Sequence, residues 1–121
     1  MTRSRQLLLV TLAALAVALT VAVPAWGKAT PLAGTVGPAF TITLKKAGTN
    51  VTTLRRGSYA ITVNDRSDFH NFRLRGPGVN RAITGVSFVG RRSVAVTLRP
   101  GRYTFLCDPH ADSMRKSFRV T

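Results

Sequence analysis

The alternation of apolar and polar residues in short runs constrains the fold of this chain more than any other feature. Successive side chains of a β-strand point to opposite faces, so a period of two predicts strands with one buried face. Such runs begin at Phe40, Tyr59, Val94, Tyr103 and Phe118. Turn-forming residues lie between them at 47–50, 55–57, 76–78, 90–92 and 100–101. No strong helical period follows residue 27, and the pattern predicts an all-β domain of about seven or eight strands in two packed sheets.

The first 27 residues have a different composition and predict a targeting segment. Arg3 and Arg5 give a basic start, residues 7–23 form an uncharged apolar run, and small residues follow at 24–27. This order is typical of a helical secretory signal peptide. The run is also close to the ~20 residues of a spanning helix, so an uncleaved N-terminal anchor stays open. Both readings divide the chain into 1–27 and a domain at 28–121, and both predict an extracytoplasmic location, secreted or in the cell envelope.

The charge of the chain is strongly positive and bears on its partners. Eighteen Lys and Arg stand against four Asp and no Glu, a formal net charge of +14. Residues 28–121 keep 16 of these cations and all four acids, a formal charge of +12. Such a surface favours acidic proteins, anionic membrane lipids or acidic cell-wall polymers. Nucleic acid would suit the charge, but the predicted export argues against it, and the cations form no single aromatic-lined stripe.

The inventory of soft and imidazole side chains points to one possible metal set. A single cysteine, Cys107, excludes an internal disulfide and the zinc sites that need two cysteines. Beyond residue 27 the chain has only two histidines, His70 and His110, and one methionine, Met114. Two imidazoles, a thiolate and a thioether match a type-1 (blue) copper site, with a His-His-Cys plane and a weak axial Met. Each residue also has a structural reading, as core filler or as a loop residue.

The chain resembles the cupredoxin family, in particular the plastocyanin and pseudoazurin type, over about residues 35–121. The residues that carry the resemblance are His70-Asn71-Phe72, the run from Tyr103 to His110, Met114 and Phe118. It implies a Greek-key β-sandwich that binds one copper ion through His70, Cys107, His110 and Met114. It also implies that Asn71 hydrogen-bonds the His70 loop to the Cys107 loop.

This resemblance implies an exported protein that carries single electrons between redox partners. His110 is then the electron port, and we expect a small apolar collar around it from residues 76–79, Pro109 and Ala111. We do not expect an enzyme, because both histidines belong to the ligand set and copper oxidases need more. A copper store or chaperone on the same fold stays open, as does a basic β-sandwich that binds acidic surfaces without metal.

Overall fold

Ten strands and one 3-10 turn make up the part of the protein that the computed structural model describes, residues 28–121. The predicted targeting segment, residues 1–27, lies outside the described residues. The strands are β1 Thr30–Val36, β2 Ile42–Lys46, β3 Thr49–Asn50, β4 Thr53–Leu54, β5 Gly57–Asp65, β6 Phe72–Gly76, β7 Val79–Thr84, β8 Gly90–Leu98, β9 Gly101–Leu106 and β10 Arg115–Val120. The 3-10 turn is Asp108–His110. No helix of the described part has the length and apolarity to cross a bilayer.

Two five-stranded sheets pack face to face, with strand orders β3-β2-β1-β5-β8 and β4-β10-β9-β6-β7. Two pairs are parallel, β1 with β5 and β4 with β10, and the other neighbours are antiparallel. The predicted all-β class and the two packed sheets are confirmed. The predicted strand number was too low, because β3 and β4 have only two residues each and because no alternating run indicated β1, β6 or β7.

The core lies between the sheets and is built by the predicted alternation. In β5, Tyr59, Ile61 and Val63 point inward, and in β9 Tyr103 and Phe105 do so. The rings of Phe72 and Phe105 stack with centroids 5.5 Å apart, and those of Tyr103 and Phe118 with centroids 5.4 Å apart. Burial of apolar area at roughly 25 cal/mol per Å² is the main force that holds the sheets together.

Four loops meet at one end of the sandwich, which we call the histidine end: residues 37–41, 66–71, 85–89 and 107–114. The strand registers place them together, since Val36 pairs with Asp65, Asp65 with Gly90, and Leu106 with both Arg73 and Arg115. At the opposite end lie Lys28 and the turns at 55–56, 77–78 and 99–100. This end-to-end arrangement brings His70 beside the loop that follows β9, although 37 residues separate His70 from Cys107.

Candidate metal centre

Three donor atoms converge at the histidine end. The Nδ1 atoms of His70 and His110 lie 3.1 Å apart, and each is 3.7 Å from the sulfur of Cys107. The point equidistant from the three atoms lies about 2.0 Å from each, close to metal–imidazole and metal–thiolate bond lengths. The triangle therefore has the size that one coordinated metal ion requires, and the three residues form a candidate copper site.

The loop of residues 107–114 closes on itself through its backbone. The amide of Cys107 donates to the carbonyl of Met114 at 3.0 Å, and the amide of Met114 donates to the carbonyl of His110 at 2.8 Å. The amide of His110 donates to the carbonyl of Cys107 at 3.1 Å, within the 3-10 turn that begins at Asp108-Pro109. Met114 is fully buried at the base of this loop. The loop thus presents the sulfur of Cys107 and the ring of His110 in a fixed relation to each other.

Asn71 joins this loop to the segment that carries His70. Its backbone amide donates to the sulfur of Cys107 at 3.4 Å. Its side-chain oxygen accepts a hydrogen bond from the amide of Asp108 at 2.7 Å, and its side-chain nitrogen donates to the carboxylate of Asp108 at 2.8 Å. Asn71 is itself buried. This contact therefore fixes the position of the Cys107 sulfur relative to the segment that carries His70.

Arg73 and Asp108 extend this hydrogen-bond network to the sheet. The Nε of Arg73 donates to both carboxylate oxygens of Asp108, at 2.8 and 3.0 Å, and its Nη1 donates to Asn80 at 3.0 Å. The hydrogen bond from Arg73 holds the pKa of Asp108 below its usual range, with help from Asn71. The same hydrogen bond raises the pKa of Arg73. This contact between Arg73 and Asp108 was not predicted from the sequence.

Two phenylalanine rings pack around the imidazoles. The ring of Phe40 lies 5.1 Å from that of His70 and 4.9 Å from that of His110, both edge-on. The ring of Phe69 lies 4.2 Å from that of His70. Both rings also face solvent, Phe40 with 59% and Phe69 with 47% of its area exposed.

The expected collar from residues 76–79 was wrong, and so was the placement of Phe40 on a strand. Residues 76–79 form the β6–β7 turn, where the carbonyl of Pro77 accepts a hydrogen bond from the Tyr103 hydroxyl at the opposite end of the sandwich. Strand β2 begins only at Ile42, so Phe40 belongs to the loop before it. The alternation of apolar residues predicted a core position for Phe40, because Phe40 lies two residues before Ile42 and so matches the spacing of the buried residues in β2.

Burial governs the titration of His70. The imidazole is completely buried, and desolvation lowers its pKa, with a further contribution from the neighbouring His110. The charge of Asp65 and a contact with the backbone of Ala39 oppose this shift. Burial also raises the pKa of Asp65, although hydrogen bonds from Thr84 and Ser67 oppose the effect. A neutral His70 is the form that coordinates a metal, so the desolvated pocket keeps this residue ready as a ligand.

Solved structures of rusticyanin share this fold. A reduced rusticyanin aligns with TM-score 0.57 and 19% identity, over 78% of this chain and 81% of that chain. A rusticyanin variant aligns with TM-score 0.58 and 19% identity, over 78% and 79%. A third structure, described as that of the copper protein rusticyanin, aligns with TM-score 0.56 and 16% identity, over 78% and 79%. No protein-family model matches the sequence, and no curated protein matches it at a significant level.

These alignments define the class of fold. The described domain has the cupredoxin fold, and the resemblance seen in the sequence is confirmed at that level. Its candidate copper site lies at the end of the sandwich where four loops meet, and the site consists of His70, Cys107 and His110.

Proposed function

We propose that this protein is an exported type-1 copper protein that carries single electrons between redox partners. The convergence of two imidazole nitrogens and one thiolate sulfur, 3.1 to 3.7 Å apart, is the observation that carries the proposal. Copper bound there would supply one-electron chemistry between its Cu(I) and Cu(II) states. His70, Cys107 and His110 are the residues that would hold the copper ion, and we propose Met114 as a fourth, weaker ligand.

The chemistry of the donors favours copper over other ions. A thiolate and two imidazoles bind both oxidation states of copper, and a weak thioether is the usual fourth partner in blue-copper sites. Zinc normally takes a second thiolate, a carboxylate or water in that place. Calcium and magnesium prefer oxygen ligands, which His70 and Cys107 do not offer.

The protein's contribution is to hold these donors still and to exclude water. His70, Cys107 and Met114 are completely buried, whereas His110 keeps part of its ring near the surface. The amide of Asn71 and the closed backbone of the 107–114 loop keep the thiolate in place. A frame of this kind needs little rearrangement when the charge of the site changes by one, which favours fast electron transfer.

The exposed rings of Phe40 and Phe69 suggest where a redox partner docks. They flank His110, with ring centroids 4.9 and 6.3 Å from its imidazole. Because His110 is the proposed donor nearest to solvent, a partner that covers the two rings would come close to the metal. We therefore assign electron entry and exit to the histidine end. An acidic partner is still favoured at this end, because its exposed cations outnumber its four acidic side chains. These cations are Arg66, Arg91, Arg92, Arg115 and Lys116.

Reversible redox cycling separates an electron carrier from a copper store. We expect the copper-loaded protein to give a reversible one-electron wave in voltammetry and rapid self-exchange in solution. A store would bind Cu(I) tightly, re-oxidise irreversibly and exchange electrons slowly, and that result would overturn the proposal. A protein that binds no copper in these experiments would be a binding module that works without metal.

The role proposed for Met114 has its own test in the same experiment. Met114→Leu removes the thioether and keeps the apolar volume, so the copper potential should rise because Cu(II) loses a donor. Ser113→Ala is the matched control, since Ser113 is exposed and contributes only its backbone amide to the loop. An unchanged potential in Met114→Leu would exclude Met114 as a copper ligand.

A further inference from the structure

The acidic residues of this chain are confined to one end of the molecule. The sequence contains four, and all of them are described. Asp65 is the last residue of β5, Asp68 lies in the 66–71 loop, and Asp108 and Asp112 lie in the 107–114 loop. Every acidic side chain therefore belongs to the histidine end.

The opposite end carries cations without a single acidic side chain, and we call it the basic end. Its residues come from the start of β1, the end of β2, the β4–β5 and β8–β9 turns, and the adjoining ends of β9 and β10. They are all exposed. The basic end consists of Lys28, Lys46, Arg55, Arg56, Arg99, Arg102 and Arg119.

Two of these cations repel each other in the folded domain, and four others line a cleft that suits an anion. Arg102 and Arg119 stand directly opposite each other in the β9–β10 pair, where like charges destabilise a sheet. Beside them, a cleft of about 600 Å³ is lined by Lys28, Lys46, Arg55 and Arg56, together with the hydroxyl-bearing Thr30, Ser58 and Thr121. Ammonium and guanidinium groups with hydroxyls nearby donate the hydrogen bonds that phosphate groups accept.

We propose that the basic end binds the surface of a bilayer that contains anionic phospholipid, and that it holds the histidine end away from that surface. The position of Lys28 favours a membrane over an acidic protein, because the predicted signal peptide or anchor joins the domain there. If the N-terminal anchor is retained, the membrane-bound segment connects to the domain at Lys28, at the end that carries the cations. The consequence for electron transfer rests on the proposed function, whereas the binding itself does not require copper.

Vesicle sedimentation of the full chain tests this proposal. Neutral vesicles of phosphatidylcholine measure any insertion of the apolar segment, and vesicles with added phosphatidylglycerol measure the electrostatic part. We expect tighter binding to the anionic vesicles, lost in 0.5 M salt. A surface cation contributes about fivefold in affinity, so R55Q/R56Q should weaken binding to anionic vesicles by about 25-fold and leave binding to neutral vesicles unchanged.

The matched control is R91Q/R92Q, which removes the same charge from an exposed pair at the histidine end. Arg92 and Arg91 pair with Val63 and Asn64 of β5, seven and eight residues beyond Arg56. At 3.3 Å per residue the two pairs are therefore roughly 25 Å apart, beyond the ~10 Å screening length of 0.1 M salt. We expect R91Q/R92Q to change binding less than twofold. Equal losses of binding in the two variants would show that only the net charge of the protein matters, and would overturn the proposal. Equal binding of the unmodified chain to neutral and anionic vesicles would overturn it as well. Circular dichroism of each variant shows that the domain is folded, and copper need not be present.

Discussion

At the scale of single residues, Asn71 controls the contact between the two loops that carry the donors. We expect Asn71→Ala to lower the free energy of unfolding by about 1–2 kcal/mol, because the partly buried amide of Asp108 loses its acceptor. Copper affinity should fall by about 10- to 100-fold, as is usual when a partner of a metal-bound residue is removed. Urea denaturation and copper titration measure the two effects.

Asn80→Ala is the control for that change, since Asn80 is exposed and accepts a hydrogen bond only from Arg73. Its effect on stability should stay within about 0.5 kcal/mol. Similar losses in the two variants would show that Asn71 has no special part in joining the loops.

The buried imidazole of His70 gives the metal-free protein a predictable response to acid. Its pKa is lowered by burial, so between the ordinary value of 6.5 and the lower folded value the unfolded chain binds more protons. Stability should therefore decrease as the pH falls below 6.5, with a slope of at most about 1.4 kcal/mol per pH unit. His70→Gln should remove this part of the slope in denaturation measured between pH 7 and pH 5. A slope that persists unchanged in His70→Gln would contradict the assignment.

At the scale of elements, the ion pair between Arg73 and Asp108 ties β6 to the 107–114 loop. Because both side chains are partly exposed, we expect Arg73→Gln to cost only about 1 kcal/mol in unfolding free energy at pH 7. The pKa of Asp108 is lowered by this pair, so the stabilisation is present above the ordinary value of 3.8 and is lost as the pH falls below it. The difference between Arg73→Gln and the unmodified protein should therefore shrink below pH 3.8.

Arg75→Gln makes the same change two positions further along β6, at an exposed residue. Its unfolding free energy should differ from that of the unmodified protein by less than about 0.5 kcal/mol. Equal effects at Arg73 and Arg75 would mean that the contact with Asp108 contributes nothing.

Local alternation predicted five of the ten described strands, β2, β5, β8, β9 and β10, and could not reveal β1. In β1, the buried positions are Leu32, Gly34 and Val36, and the central one has no side chain, which hides the period of two. A Cβ atom at Gly34 would lie 3.0 Å from Val63 and 3.1 Å from the ring of Phe72. A side chain at position 34 would therefore collide with the Phe72 ring of the other sheet, which explains why glycine is found there. Residues 34 and 72 are far apart in the chain, so a local sequence pattern does not show this contact.

The candidate site was predictable in part for a different reason. Scarcity singled out Cys107, His70 and His110, since the chain beyond residue 27 has no other cysteine or histidine. Phe40, Phe69 and Arg73 belong to residue types that are common in this chain. Only the folded arrangement of two loops and strand β6 brings them to the imidazoles and to Asp108.

At the scale of the whole molecule, copper should stabilise the domain by mass action. A ligand that binds only the folded state adds about 2.7 kcal/mol at a free concentration 100 times its dissociation constant. For a domain of this size, that corresponds to a rise in Tm of about 10–20 °C. Differential scanning calorimetry with and without copper measures the rise, and Cys107→Ala should show little of it. An unchanged Tm in the unmodified protein would contradict copper binding by the folded domain.

Addition of Cu(II) to the purified protein, followed by visible and electron-spin resonance spectroscopy, tests most directly whether His70, Cys107 and His110 bind one copper ion together. We expect an intense visible band from charge transfer between the Cys107 thiolate and copper, with the small copper hyperfine splitting of a blue site. Cys107→Ala should lose both signals, and Ser113→Ala should keep them. A colourless adduct, or an adduct whose spectrum is the same in Cys107→Ala, would show that these side chains do not form a type-1 copper site.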